Sequence, residues 1–170
     1  MKQEVILVDI NDRETGRMEK LEAHRKGILH RAFSVFIFNS GGEMLIHQRA
    51  EDKYHGGGLW TNACCSHPLP GETLEEAVYR RLGQEMGLTC RVRKAFDFIY
   101  RAEVENGLIE HELDHVFVGV TDAVPQPDKE EVQDWKWADP AKILDDIRIH
   151  PEYYTVWFAM TLQRVLDEIR

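Results

Sequence analysis

The chain has 170 residues, of which 43% are hydrophobic and 30% are charged, and its formal net charge is −9. A globular chain of this size buries roughly two thirds of its unfolded surface, which excludes disordered, collagen-like and disulfide-scaffold proteins. The acidic balance argues against a nucleic-acid partner, so any bound anion must meet a local basic cluster. We expect residues 1–170 to form a single domain.

The cysteines and the apolar segments predict the cellular setting. Cys64 and Cys65 are adjacent, and Cys90 makes the number odd, which suits a reducing compartment better than a secreted disulfide framework. No run reaches the roughly 18 apolar residues of a membrane span, and the start is too short and acidic for a signal peptide. We predict a cytoplasmic protein that does not contact membranes, and no obligate protein partner is evident.

The first half of the chain predicts short strands separated by glycine-rich turns. Residues 5–8 predict a first strand, and residues 32–38 and 44–46 flank an Asn-Ser-Gly-Gly turn that predicts a hairpin. Three glycines that follow His55 lead into an extended piece at residues 63–67. Glycines there permit the backbone to approach other atoms closely.

From Thr73 the apolar residues recur every four positions, which predicts a helix. Thr73 and Glu76 form a capping box, and Gly87 supplies the C-terminal cap. Asp139 and Pro140 open a second helix, and a third is predicted from Pro151 onward. Further strands are predicted at residues 89–92, 96–100, 108–120 and 132–137. The fold class is therefore α+β, with a mixed or antiparallel sheet and few helices.

Three carboxylates lie at alternate positions of one predicted strand. Glu110, Glu112 and Asp114 point to the same face, because successive side chains of a strand alternate. A solvated sheet face is the commoner explanation of such a pattern. The carboxylates alone therefore leave a structural and a functional interpretation open.

Imidazoles and a thiol complete the candidate groups. His24, His30 and His67, taken with carboxylates, suit zinc, manganese, iron or magnesium, whereas a structural zinc site favours regularly spaced thiolates. Taken singly, each histidine is more often a surface or core residue, and Cys65 is more often a small buried hydrophobe. The sequence alone does not bring these groups together.

The helix that ends at Gly87 partly matches the Nudix signature, which has a glycine, a glutamate and then Arg-Glu-apolar-x-Glu-Glu-x-Gly-apolar. The matching residues are Glu72, Arg80, Leu82, Glu85, Gly87 and Leu88. Ser66, Arg81 and Gln84 replace a glycine and two glutamates of that signature. The loss of two glutamates disables a multi-metal hydrolytic site, and Glu85 remains to bind one hard cation.

The chain resembles the type 1 isopentenyl diphosphate isomerases, a branch of the Nudix superfamily that does not hydrolyse its substrate. The resemblance runs nearly end to end and is most specific in Trp-Thr-Asn-Ala-Cys-Cys-Ser-His-Pro at residues 60–68, in the Gly71-Glu72 helix and in Glu110-His111-Glu112. It implies a Nudix-like mixed β-sheet sandwich flanked by helices. The chain departs from relatives that carry Trp-Pro-Gly, since Gly56-Gly57-Gly58 stands there.

The resemblance implies a set of site residues and cofactors. The implied catalytic residues are Cys65, Glu112 and Tyr100. The implied ligands of one Mn²⁺, Zn²⁺ or Mg²⁺ are His24, His30, His67, Glu110 and Glu112. Glu85 is the implied ligand of a second ion, Mg²⁺, which arrives with the substrate diphosphate. The implied substrate-binding residues are Lys20, Arg49, Lys53, Arg81 and Trp157. No flavin or nicotinamide is implied, and the implied partner is a prenyl diphosphate.

The implied reaction moves a double bond by one carbon through a tertiary carbocation. Cys65 and Glu112 are expected to flank the five-carbon unit, with Tyr100 assisting proton transfer and the Trp157 ring stabilising the cation. The alternatives are a Nudix hydrolase of a nucleoside or other diphosphate and a non-catalytic Nudix binding module. A structural zinc protein is a weaker alternative. Metal removal would distinguish it, because unfolding favours a structural metal and loss of activity with a retained fold favours catalysis.

Overall fold

The computed structural model describes residues 2–170 and contains nine strands and four α-helices in that range. The strands are β1 (Glu4–Val8), β2 (Glu14–Glu19), β3 (His30–Phe38), β4 (Met44–Arg49), β5 (Trp60–Thr61), β6 (Cys64–Ser66), β7 (Val92–Glu103), β8 (Ile109–Val120) and β9 (Val132–Ala138). The helices are α1 (Lys20–Lys26), α2 (Leu74–Met86), α3 (Pro140–Ile149) and α4 (Val156–Glu168). The α+β prediction is confirmed.

The strands form one mixed sheet. β3 lies near its centre, pairing in parallel with β8 and antiparallel with β1, β4 and β6. β8 pairs antiparallel with the long strand β7, and β4 pairs antiparallel with β9. Because β3 and β8 run in parallel, their first residues meet at one end of the sheet.

Helices cover both faces of this sheet, as predicted for a sandwich. Phe33, Val35 and Ile37 of β3 pack with the apolar stripe of α2, whereas Phe36 and Phe38 point to the other face and pack with α4. This alternation is the period of two expected of a strand buried on both sides. Apolar burial of this kind is the main source of stability in a domain of this size.

The predicted helix after Thr73 is confirmed in detail. Thr73 and Glu76 form the reciprocal capping box, and Gly87 adopts the left-handed conformation with φ +62° at the other end. A side chain at Gly87 would also collide with Gln126. Both ends of α2 are therefore set by residues next to them in the sequence.

Three other predictions need correction. Residues 89–91 are irregular, and the two strands predicted at 89–92 and 96–100 are one strand, β7, whose register shifts between Lys94 and Phe96. The third helix begins at Val156, because Pro151–Tyr153 forms a separate 3-10 turn. The pattern also missed β2 and α1, which are short and mostly polar. Within residues 2–170, none of the helices combines the length and apolar character needed to cross a membrane.

Candidate active site

Three neighbouring strands place their polar side chains in one row. His30 of β3 and Tyr100 of β7 both pair in register with Glu112 of β8. Glu110 and Glu112 are 2% and 7% exposed, so this is not a solvated sheet face. The functional interpretation of the carboxylates, left open by the sequence, is therefore favoured by their burial.

Backbone carbonyls orient two of the three predicted imidazoles. The Nδ1 atom of His24 lies 2.7 Å from the Lys20 carbonyl oxygen, and that of His30 lies 2.8 Å from the Ile28 carbonyl oxygen. Each Nε2 atom consequently points at the carboxylates. Histidines that bind metals are usually held in this way, with one ring nitrogen fixed by a carbonyl and the other free to coordinate.

All the predicted ligands of the first metal converge. The Nε2 atoms of His24, His30 and His67 lie 4.0, 3.8 and 3.4 Å from one carboxylate oxygen of Glu112. His24 is also 3.5 Å from a carboxylate oxygen of Glu110. The grouping that sequence left unproven is therefore present in the structure.

The donor atoms of this cluster fit a divalent cation. The Nε2 atoms of His24 and His30 and the Oε2 atom of Glu110 are buried without a hydrogen-bond partner. Unpartnered buried polar atoms cost free energy, and a cation at their centre removes that cost. Mixed nitrogen and oxygen donors suit zinc, manganese or magnesium.

The sequence analysis missed a fourth imidazole at this cluster. His55 is 2% exposed, and its Nε2 contacts a carboxylate oxygen of Glu110. His55, His24 and Glu110 form a second group whose ligand atoms all lie within 4.8 Å of one another. The three glycines that follow His55 were the available signal, and a side chain at Gly57 would collide with the Glu51 carbonyl oxygen.

Cys65 lies beside this cluster with its sulfur between two polar groups. The Trp157 indole Nε1 donates to Sγ at 2.9 Å, and Sγ lies 3.1 Å from the Asn62 amide oxygen, to which the thiol donates. The Asn62 amide nitrogen is fixed by the carbonyl oxygens of Val35 and Cys64, each at 2.9 Å. Asn62, which the sequence analysis did not select, therefore holds the thiol in place.

The acidities of the central groups are set by burial. Burial and the charge of Asp114 raise the pKa of Cys65 to about 12, so the sulfur carries its proton at neutral pH. Burial and the adjacent Glu110 carboxylate raise the pKa of Glu112 well above its usual range. Burial and the charge of Glu112 similarly raise the pKa of Tyr100, which stays a neutral phenol. The site thus pairs a protonated thiol with a carboxyl group that can hold a proton.

The predicted substrate-binding cations lie near one another and beside this cluster, and they form a cationic rim of Lys20, Arg49, Lys53 and Arg81. Burial lowers the pKa of Lys20, and the nearby charges of Lys53 and Arg81 lower it further. The Arg49 guanidinium carbon lies 5.4 Å from the centre of the Trp157 ring, and its Nη2 donates to the His55 carbonyl oxygen at 3.0 Å. A net acidic chain therefore offers the local basic cluster that an anion requires.

Carboxylates already pair with part of this rim. Arg81 donates to Glu85, the predicted magnesium ligand, and also lies 3.5 Å from Glu131, which pairs with Lys53. Glu131 was not selected from the sequence. Glu72, which matches the Nudix signature, does not pair with a rim cation. It accepts two hydrogen bonds from Arg80 at 2.6 and 2.8 Å. Glu72 therefore anchors α2 rather than facing the rim.

Cys65, His67, Tyr100, Glu112 and Trp157 line one narrow cavity of about 40 Å³. A larger cavity of about 900 Å³ lies at the opposite ends of β3 and β8 and contains none of the predicted site residues. The chemistry-bearing groups therefore meet in the narrow cavity.

The chain is similar in sequence to known proteins. Residues 28–158 match the NUDIX domain family. The chain is 53% identical to the isopentenyl-diphosphate Delta-isomerase of Pectobacterium atrosepticum over 96% of this chain and 92% of that protein. It is 49% identical to the isopentenyl-diphosphate Delta-isomerase of Burkholderia multivorans over 96% and 93% of the two chains.

Solved structures with the same fold are more distant in sequence. The protein DR0079 of Deinococcus radiodurans superposes with a TM-score of 0.81 at 21% identity and covers 95% of this chain and 98% of that one. The MutT protein of Methanosarcina mazei superposes with a TM-score of 0.69 at 22% identity, over 84% and 96% of the two chains. These likenesses establish the Nudix fold, and together with the sequence matches they show that the chain belongs to the isopentenyl-diphosphate Delta-isomerase family within the Nudix superfamily.

Proposed function

We propose that this protein interconverts isopentenyl diphosphate and dimethylallyl diphosphate. The observation that carries the proposal is the cavity in which a protonated thiol, Cys65, and a buried carboxyl group, Glu112, meet beside a cationic rim. The relatives named isopentenyl-diphosphate Delta-isomerase cover nearly the full chain and support the same activity.

Protonation of an unactivated alkene forms a tertiary carbocation, and water must not reach that cation. Cys65 supplies a proton that burial keeps on sulfur at neutral pH, and Glu112 accepts or returns the other proton. Tyr100 pairs in register with Glu112 and holds a phenol proton next to it. The buried face of the Trp157 ring offers a negative surface to the cation, worth about 0.5–2 kcal/mol.

The His/Glu cluster fits one divalent cation, which would be held by His24, His30, His67, Glu110 and Glu112. When bound, such an ion orients the carboxylate of Glu112 and alters its acidity. We propose Mn²⁺, Zn²⁺ or Mg²⁺ at this position, since all three accept nitrogen and oxygen donors.

The rim fits the diphosphate of the substrate. Lys20, Arg49, Lys53 and Arg81 supply the charge, and the Arg side chains add directional hydrogen bonds to phosphate oxygens. We propose that Glu85, buried and next to Arg81, binds a Mg²⁺ ion that accompanies the diphosphate.

A Nudix hydrolase is the second candidate, because the fold is shared with the MutT protein. Multi-metal hydrolysis needs several carboxylates on the signature helix, and Arg81 and Gln84 replace two of them here. Cys65, which is half-buried and accepts a hydrogen bond from the Trp157 indole, has no role in that reaction. A binding module without turnover also leaves Cys65 and the cavity without a role.

We further propose that residues 1–170 form one domain, supported by the single sheet that spans residues 4–138. A cytoplasmic location follows from the chemistry of Cys65, which works as a free thiol and needs a reducing compartment. The substrate is a small molecule, a prenyl diphosphate, and the acidic net charge disfavours nucleic acid as a partner.

Proton NMR of isopentenyl diphosphate in deuterated buffer with Mg²⁺ tests the proposal. We expect the allylic isomer with incorporated deuterium from the purified protein, and no product from Cys65→Ala, whose fold is checked by circular dichroism. Release of inorganic phosphate or pyrophosphate would select the hydrolase, and unchanged substrate with the folded protein would select a binding module.

A further inference from the structure

His55 is a buried imidazole to which the proposed reaction gives no role. It lies between β4 and β5, at the start of the segment Gly56–Gly58, and is 2% exposed. Its Nε2 is buried without a hydrogen-bond partner, although it contacts a carboxylate oxygen of Glu110. A buried imidazole aimed at a group of unpartnered donors is the arrangement that a metal ligand requires.

We infer that His55 is a further ligand of the divalent cation held by the His/Glu cluster, and that it couples the metal to the diphosphate rim. The coupling to the rim rests on the proposed function, in which the rim binds a diphosphate. The coordination of the metal by His55 does not depend on turnover. The donor atoms of His55, His24 and Glu110 lie within 4.8 Å of one another. His24 belongs to both groups of donors, so the two groups adjoin the same ion position.

A plain ion pair between His55 and Glu110 is the alternative. An ion pair would use one oxygen of Glu110, yet the other oxygen and the His24 Nε2 both remain buried and unpartnered. Those atoms stay costly in an ion pair and are compensated by a cation. The unpartnered atoms therefore favour coordination over simple pairing.

The backbone around His55 connects the metal cluster to a rim cation. The carbonyl oxygen of His55 accepts a hydrogen bond from Arg49 Nη2 at 3.0 Å, and Gly58 N donates to the Arg49 carbonyl oxygen at 2.9 Å. The segment is further anchored by Gly56 N, which donates to a Glu105 carboxylate oxygen at 2.9 Å. Fixing the imidazole on the metal thus fixes the carbonyl that orients the Arg49 guanidinium.

The backbone shape that places His55 requires the glycines of residues 56–58. Gly56 and Gly58 have φ of +66° and +79°, and a side chain at Gly57 would collide with the Glu51 carbonyl oxygen. A backbone of this shape is strained for other residues. It brings the His55 imidazole to Glu110 and its carbonyl oxygen to Arg49 at the same time.

Metal affinity tests the inference without any reference to turnover. Zn²⁺ and Mn²⁺ are titrated into the metal-free protein in competition with a chromogenic chelator, for the wild type, His55→Ala and His55→Gln. His115→Gln is the matched control, since His115 is 3% exposed, lies on β8 and contacts a carboxylate of Asp12 outside the cluster. We expect the dissociation constant to rise roughly 10–100-fold in both His55 variants and to stay unchanged in His115→Gln.

Two further readouts separate coordination from a general loss of structure. The visible spectrum of the Co²⁺-loaded protein reports the number of ligands and is expected to change in both His55 variants but not in the control. Zn²⁺ is expected to slow hydrogen exchange at residues 55–58 of the wild type, and saturating Zn²⁺ is expected to leave it unchanged in His55→Ala. Wild-type affinity and an unchanged Co²⁺ spectrum in folded His55 variants would overturn the inference. Failure of the isomerase reaction would not alter these readouts, so the two proposals fail separately.

Discussion

The metal cluster and the cationic rim differ in how far their polar and charged groups are already paired within the protein. In the cluster, the Nε2 atoms of His24, His30 and His55 and one oxygen of Glu110 are left without partners. In the rim, Lys53 and Arg81 are already paired with carboxylates. The cluster is therefore incomplete without a cation, whereas two of the four rim cations are already paired with carboxylates before any anion arrives.

The two binding events therefore depend on each other. An ion that enters the cluster compensates donors that folding has already buried, so tight binding needs little rearrangement. A diphosphate that enters the rim must displace Glu131 and Glu85 from Lys53 and Arg81. A Mg²⁺ ion that binds these carboxylates frees the two cations for phosphate oxygens. The molecule thus places a preorganised metal site beside a diphosphate site in which two cations must first be released from their carboxylates.

The largest effect is expected when the cluster keeps its shape but loses its acid–base group. In Glu112→Gln the amide occupies the same space but cannot accept a proton, and general acid–base catalysis contributes roughly 10²–10⁴-fold. We expect turnover to fall by at least that factor and the diphosphate affinity of the rim to change little. Single-turnover kinetics and calorimetry with inorganic pyrophosphate measure the two quantities. Near-normal turnover in this variant would remove Glu112 from the mechanism.

Removal of the metal should affect the cluster far more than the rim. A ligand at a thousand times its dissociation constant stabilises the folded state by about 4 kcal/mol, so the metal-free protein should melt roughly 10 °C lower. We expect activity to be lost while circular dichroism still reports the native fold, and to return on adding Zn²⁺ or Mn²⁺. Complete unfolding on chelation would instead identify a structural metal site.

The sequence predicted the parts of the molecule that depend on local signals. The caps of α2, the apolar period of its buried face and the alternation of Glu110 with Glu112 are all contained within short segments. The convergence of His30 and His67 with those carboxylates depends instead on the pairing of β3 with β8 and with β6, which brings distant residues together. Only the family resemblance indicated that grouping before the structure was known.

His55 and Glu131 were missed for a physical reason as well. Neither belongs to a motif, because His55 reaches Glu110 through a glycine-shaped loop, and Glu131 reaches Lys53 and Arg81 from the start of β9. The merging of residues 92–103 into one strand was missed because the register shift between Lys94 and Phe96 interrupts its alternation. Tertiary contacts and irregularities of this kind leave no periodic trace in the sequence.

Two rim variants should change the affinity for inorganic pyrophosphate in opposite directions, and both changes should be smaller than the effects above. Arg81→Ala removes a phosphate-binding group and should weaken binding of inorganic pyrophosphate roughly tenfold or more. Glu131→Gln removes a competing carboxylate and should tighten binding a few-fold in the absence of Mg²⁺, because partly exposed ion pairs are weak. Titration calorimetry with and without Mg²⁺ measures both. Weaker Mg²⁺-free binding in Glu131→Gln would contradict the competition between this carboxylate and the anion.

A further effect concerns His47, a buried imidazole outside the cluster. Burial, together with the charge of Arg49, lowers its pKa to about 3, so the folded protein holds it neutral while the unfolded chain binds a proton below pH about 6.5. Because the unfolded state binds more protons, this contribution to stability is present above pH about 6.5 and is lost as the pH falls, by about 1.4 kcal/mol per unit.

Asp114 titrates in the opposite sense, since burial raises its pKa to about 7, and a comparison of two proteins is therefore needed to isolate His47. Urea unfolding of the metal-free wild type and of His47→Gln should give a free-energy difference that shrinks as the pH is lowered from about 6.5 to about 4.5. The same comparison with Glu131→Gln should show no such trend, because Lys53 holds the pKa of Glu131 below its usual value against the opposing effect of burial. The rim pairs then persist over the whole range in which His47 loses its contribution. A constant difference between wild type and His47→Gln would mean that the imidazole is solvated in the folded state.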